Sequence, residues 1–262
     1  MRRQTLVLLL GALLWSSVVS PVRAQATVRE LRELSPGAAN IAWNRQGLVG
    51  VAVYRLDTGA LYSFQGTRAF PMYSTAKVPI MLTILDRAVR ENRRVAKWER
   101  DLITAMIQTS DNKAASALLA DVGGAAAVNA YLWQIGIVNT KFNGYAWGVS
   151  TTTAQDMVSL MAKIANCSIL VPRLCNYALG IMQGVVRSQK WGVTAGAPDA
   201  GAVALKNGWY PQRNGWAVNS VGLVLSGGKP YAIAVYTNPN PSMAYGVGTI
   251  EQISTEVSAA VR

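Results

Sequence analysis

Strand-forming sequence lies only near the two ends of this 262-residue chain, and that distribution is the strongest constraint on its fold. Residues 48–54 (LVGVAVY) form an apolar, β-branched run. Asp57-Thr58-Gly59 supplies a turn and residues 60–64 a returning strand, so the pair reads as an antiparallel hairpin. Strand character returns only at 201–205, 216–225 and 231–236, with Gly227-Gly228-Lys229 as the turn before the last strand. From Ser74 to about residue 170 the apolar residues instead recur at three- and four-residue steps, in 81–89, 102–107, 113–119 and 154–164. Gly123-Gly124 and Asn143-Gly144 punctuate those segments. Residues 27–43 also have helical spacing, interrupted near Pro36-Gly37, and 245–261 reads as an amphipathic helix. The expected fold is therefore α/β of the α+β type. An antiparallel sheet is built from both chain ends, flanked by helices, with an all-helical block inserted. The expected divisions are 25–66 and 196–262 for the sheet part and 67–195 for the helical part.

Hydrophobic residues make up 51% of the chain and charged residues 15%, which suits a packed core rather than disorder. Residues 1–24 read as a secretory signal: Arg2-Arg3, an apolar core over 6–14, and the small-x-small exit Val22-Arg23-Ala24. The apolar core is short for a membrane span, so the expectation is a secreted or periplasmic protein with no stable membrane insertion after cleavage. An uncleaved anchor is the alternative. The formal net charge is +12, spread without a dense basic run beyond Arg93-Arg94. No nucleic-acid motif accompanies it, and a solvated basic surface facing anionic polymers or substrates is the preferred reading. The two cysteines, Cys167 and Cys175, are close in sequence. In an oxidising compartment they are expected to form one local disulfide.

The chain has no histidine. Ser-His-Asp and Cys-His hydrolases are therefore excluded, as is any His-ligated zinc site. A serine nucleophile here needs lysine or a carboxylate to activate it. Phe70-Pro71-Met72-Tyr73-Ser74-Thr75-Ala76-Lys77 offers that pair three residues apart, where the first sheet segment meets the helical block. On a helix starting near Ser74 both side chains share a face, and the helix N-terminus favours an oxyanion beside Ser74. A partly desolvated Lys77 can take the serine proton. An isolated S-x-x-K is more often a capped helix start with a surface lysine. Two further stretches weigh against that reading: Ser110-Asp111-Asn112 between helical segments, and Lys206-Asn207-Gly208-Trp209 between two expected strand regions.

With these motifs in order, the chain resembles the class A serine β-lactamases and their penicillin-binding relatives. The likeness runs from about residue 48 to the C-terminus. Phe70-Pro71-Met72, Ser74-Thr75 and Lys77-Val78 resemble the nucleophile segment. Met106-Ile107, Ser110-Asp111-Asn112 and Ala114-Ala115 resemble the second motif, and Thr151-Thr152-Thr153-Ala154 the helix start after the Ω-loop. The resemblance implies catalytic roles for Ser74, Lys77 and Ser110. It implies substrate contacts from Asn112, Lys206, Asn207, Gly208 and Trp209, and an oxyanion hole from the backbone N–H groups of Ser74 and Trp209. Asp111 is expected as a buried loop anchor. No cofactor and no metal are implied.

Two departures stand out. The third motif carries Asn207 where a hydroxyl residue is usual, so carboxylate recognition shifts to Asn207, Arg213 or another donor. The family's Ω-loop glutamate has no counterpart, since no Asp or Glu occurs between Asp121 and Asp156. Asp156 falls in the first turn of a helix, where it complements the dipole. The expected function is an acyl-enzyme-forming serine hydrolase acting on β-lactams or related amides or esters, with slow deacylation. The alternatives are a D-Ala-D-Ala peptidase acting on cell-wall peptide and a non-catalytic cell-wall-binding protein. A monomer is expected.

Overall fold

The computed structural model describes residues 27–262, so the expected signal segment lies outside the described residues. The chain opens with β1 (Val28–Glu30), α1 (Leu31–Leu34), α2 (Pro36–Asn44), β2 (Leu48–Arg55) and β3 (Leu61–Phe64). The short β4 (Phe70–Pro71) leads into a 3₁₀ turn, Tyr73–Ala76, which runs into α3 (Lys77–Arg90). There follow α4 (Lys97–Gln108), α5 (Asn112–Asp121), α6 (Gly124–Gln134), β5 (Thr151–Thr152), α7 (Ala154–Ala165) and α8 (Pro172–Gln183). The chain closes with β6 (Val203–Gln212), β7 (Gly215–Val224), β8 (Tyr231–Asn240) and α9 (Met243–Val261).

The expected sheet from both chain ends is present, in the order β1-β3-β2-β8-β7-β6. Neighbours are antiparallel except β1, which runs parallel to β3. Period-two alternation sorts the faces of β7. Val218 packs against Gly246 of α9 on one side, and Asn219 reaches Pro71 and Met72 on the other. Gly246 leaves no room for a larger residue, since a Cβ there would lie 2.6 Å from a Val218 methyl. The sheet thus presses on the nucleophile segment through Asn219, whose side-chain amide donates to the Pro71 carbonyl at 2.8 Å.

Several expectations need correcting. Residues 27–43 do not begin as helix: β1 takes three residues, and Pro36 starts α2 rather than breaking it. Ser35 caps that helix, its hydroxyl accepting from the Ala38 N–H at 3.2 Å, and proline suits the first helical position. The helical elements also include α6 and α8, for which no apolar repeat is read in the sequence, and α8 again starts on a proline. Residues 206–209 lie inside one continuous strand, not between two. The whole of β6 pairs with β7, from Val203 opposite Val224 to Gln212 opposite Gly215. Gly208, inside that strand, marks a close backbone approach to the nucleophile segment.

The expected disulfide is not formed. Cys167 is half-buried and Cys175 buried, both as free thiols. Cys175 donates weakly to the Leu170 carbonyl at 3.5 Å. Burial, reinforced by the neighbouring Cys167 thiol, pushes Cys175 up to about 12. That favours the protonated thiol over the thiolate that disulfide exchange needs.

Candidate active site

The nucleophile segment is held before it becomes helix. The Met72 N–H donates to the Ser150 carbonyl at 2.7 Å. The Thr75 hydroxyl donates to the Met72 carbonyl at 2.8 Å and shares a hydrogen bond with the Tyr236 hydroxyl at 3.0 Å. Tyr73 sits at φ +47°, in the left-handed region that non-glycine residues seldom adopt. Its ring stacks on Tyr210 at 5.2 Å between centroids, and its hydroxyl accepts from Gln212 at 2.6 Å. These contacts hold a strained residue directly before Ser74, a pattern typical of functional sites. Ser74 itself is half-buried in the 3₁₀ turn, with Lys77 one turn further on, as the spacing predicted.

Lys77 is fully buried and surrounded by oxygen. Its Nζ lies 3.0 Å from Ser74 Oγ, 2.9 Å from Ser110 Oγ, 2.6 Å from the Ser110 carbonyl and 2.7 Å from Asn112 Oδ1. All four partners are uncharged. An ammonium has three hydrogens, so four oxygens cannot all accept from it at once. As a free amine, Lys77 can accept from one of the two hydroxyls. Burial brings Lys77 down to about 8, against a smaller opposing pull from the Asp111 carboxylate. Ser74, Lys77, Ser110 and Asn112 are thus brought together as expected.

The second motif is set between helices. Thr109 ends α4, Ser110 adopts φ +60°, and Asp111 caps α5 by accepting from the Ala114 N–H at 2.7 Å. Asp111 is a loop anchor, but an exposed one, because a capping carboxylate at a helix start can remain in water.

The third motif is reached along β6, the outer strand of the sheet. A Cβ on Gly208 would lie 2.7 Å from the Met72 carbonyl and 2.9 Å from the Ser74 and Thr75 amide nitrogens. Only glycine lets the strand approach the nucleophile's backbone this closely. Lys206 is fully buried and donates to the Asn207 carbonyl at 3.0 Å. Burial, and then the nearby charge of Lys77, hold it well below its ordinary value. Trp209 is half-buried and packs edge-on against Trp191, with ring centroids 5.7 Å apart.

Asn207 is not free to meet a substrate. Its amide nitrogen donates to the Gln189 and Trp191 carbonyls at 2.8 and 3.1 Å, and its oxygen accepts from Ser220 Oγ at 2.6 Å. With both donors and an acceptor engaged, it ties the 189–191 segment to the sheet. Arg213 lies exposed in the β6–β7 turn.

The stretch where an Ω-loop acid was sought carries an aromatic group instead. The Trp147 ring centroid lies 5.1 Å from Lys77 Nζ, and its indole N–H donates to Ser116 Oγ at 3.1 Å. Sequence reasoning passed over Trp147, one of two tryptophans, with Trp133, between Asp121 and Asp156. Asp156 accepts from the Asn139 N–H at 2.8 Å and the Thr140 hydroxyl at 2.9 Å, which fixes it as a structural acid. Asn219 and Tyr236, which brace the nucleophile, carry no local motif that could have revealed them.

The model of the beta-lactamase enzyme family matches residues 33–97 and 99–261. This chain belongs to that family. Among curated relatives, beta-lactamase L2 of Stenotrophomonas maltophilia is 28% identical over 201 residues, 61% of this chain and 66% of that protein. The match to L2 therefore spans just under two thirds of its length. The solved structure of PBP-A is 26% identical with a TM-score of 0.75, covering 88% of this chain and 97% of PBP-A. The TLA-1 extended-spectrum beta-lactamase shares the fold at a TM-score of 0.78 and 22% identity, covering 87% of this chain and 98% of its own. A PBP-A variant has been solved as an acyl-enzyme complex with penicillin G.

Proposed function

We propose that this member of the beta-lactamase enzyme family is an exported serine hydrolase that forms an acyl-enzyme at Ser74 with β-lactams or related amides and esters. The observation that carries the reading is Lys77 Nζ, fully buried and 3.0 Å from Ser74 Oγ. Neutral Lys77 takes the hydroxyl proton as Oγ bonds to the substrate carbonyl carbon. The backbone N–H groups of Ser74 and Trp209 receive the developing oxyanion. Ser110, within reach of Lys77, passes a proton to the leaving nitrogen as the C–N bond breaks. Asn112 offers its amide N–H to the substrate. Lys206 supplies charge for a substrate carboxylate, which restores the proton that burial disfavours.

Deacylation reverses none of this machinery but adds a water. The acids closest in sequence to the Ω-loop position are occupied elsewhere: Asp156 by Asn139 and Thr140, and Asp121 by Arg87. General-base assistance is worth on the order of 10²–10⁴-fold. With Asp156 and Asp121 so held, and Asp111 engaged by the Ala114 N–H, the acyl-enzyme is expected to persist. Intact-protein mass spectrometry after mixing with a penicillin tests the reading. A single adduct of the penicillin's mass is expected on the wild type and none on Ser74→Ala. No adduct on either protein would contradict it.

The similarity to PBP-A and the acid-free Ω-region together favour a second reading, a D-Ala-D-Ala peptidase that β-lactams only trap. Release of D-alanine from a D-Ala-D-Ala peptide, faster than penicillin turnover, is its signature.

A further inference from the structure

We propose that the Trp147 indole is a lid on Lys77 that keeps a hydrolytic water from being activated beside the Ser74 acyl ester. The inference rests on the acyl-enzyme reading above and adds what sets the ester's lifetime. The ring centroid stands 5.1 Å from Lys77 Nζ, so ring and four oxygens together enclose a nitrogen with no solvent exposure. The indole N–H is held by Ser116 Oγ at 3.1 Å, which fixes the ring from the α5 side.

The segment carrying Trp147 is anchored at both ends. Asn143 Oδ1 accepts from the Tyr145 and Ala146 N–H groups at 2.8 and 3.0 Å. The Asn143 N–H donates to Ser150 Oγ at 3.0 Å, and the Ser150 carbonyl accepts from Met72 beside the nucleophile. The ring is thus braced by the same short loop that holds the Ser74 segment.

Hydrolysis of the ester needs a water oxygen to bond the carbonyl carbon. The carbon–Oγ bond then breaks, Ser74 Oγ recovers a proton, and the acid leaves. The water must lose a proton, and Lys77 as a free amine is the base at hand. An indole face offers water no lone pair to orient it, and the ring stands where a water would have to approach Lys77 Nζ. Trp147 therefore works against deacylation while leaving the Ser74–Lys77 contact intact. It is a positioning residue rather than a member of the proton relay.

The test is time-resolved intact-mass spectrometry with penicillin G on wild type, Trp147→Ala, Trp147→Phe and Ser116→Ala. In Trp147→Ala the adduct should decay at least about fivefold faster while its formation changes by less than about twofold. Trp147→Phe, which keeps a ring but loses the bond to Ser116, and Ser116→Ala should both fall between the wild type and Trp147→Ala. Equal lifetimes in wild type and Trp147→Ala would overturn the lid, as would a parallel loss of formation and decay. A second measurement needs no ligand: NMR of Lys77 side-chain protons, which a ring overhead shifts upfield. Loss of that shift in Trp147→Ala is expected, and a wild-type Lys77 without it would also overturn the proposal. Should the wild type form no adduct, the acyl-enzyme reading fails, and the Lys77 shift still decides whether the indole covers the amine.

Discussion

Lys77 carries the most chemistry of any side chain in the described structure, and its titration sets the first prediction. Held near 8 by burial, it is mostly protonated at pH 7 and gains its free-amine form as pH rises. Acylation should climb about tenfold per pH unit below that value and level off above it, as a stopped-flow pH profile would show. A profile flat from pH 6 to 9 would remove Lys77 as the base. Lys77→Ala should slow acylation on the order of 10²–10⁴-fold with the fold retained. Gly208→Ala is the sharpest steric test. A Cβ 2.9 Å from the Ser74 nitrogen pushes apart the two backbones expected to hold the oxyanion. Adduct formation in that variant should fall by about 10²-fold or more, read by mass spectrometry. Ser74, Lys77, Ser110 and Asn112 were legible in sequence because each lies in a short motif whose spacing fixes direction. Asn207 was not: the Ser220, Gln189 and Trp191 groups that occupy it come from β7 and from the connection before β6.

Individual elements are secured by groups distant from the chemistry. Glu99, in the first turn of α4, is buried against Arg87 and Arg93. Burial alone would raise it, but hydrogen bonds from Arg93, the Ala96 N–H and Arg87 outweigh that and hold it at about 2. Its contribution to stability is therefore full above the ordinary glutamate value and is lost as pH falls from about 4.5 toward 2. Glu99→Ala should cost about 2–3 kcal/mol, discounted because both arginines keep some solvent, and should blunt the acid-side fall in a denaturant-melt series. An unchanged midpoint would show that the triad does not stabilise α4. Sequence spacing found α3, α4, α5, α7 and α9 because each has a continuous apolar stripe. It missed α6, where Gly123-Gly124 and an alanine-rich start hide the pattern, and it ended β6 at residue 205, although the strand runs on to Gln212 past the glycine that packs on the nucleophile.

At the scale of the whole molecule, strands at both chain ends forced a sheet with an inserted helical block, and the structure has that arrangement. Which face of that sheet meets the nucleophile was not legible, because it depends on long-range pairs such as Asn219 with Pro71 and Thr75 with Tyr236. Where those pairs meet, Lys77 Nζ lies 3.0 Å from Ser74 Oγ and 5.1 Å from the centre of the Trp147 ring. The molecule as a whole is therefore expected to acylate readily and to turn over slowly. The direct test is to count penicillin molecules consumed per protein molecule over time, by absorbance of the β-lactam ring. The account predicts a burst of about one equivalent followed by a steady rate at least about a hundredfold slower than the burst. Continuous consumption without a burst, at a rate matching acylation, would contradict it.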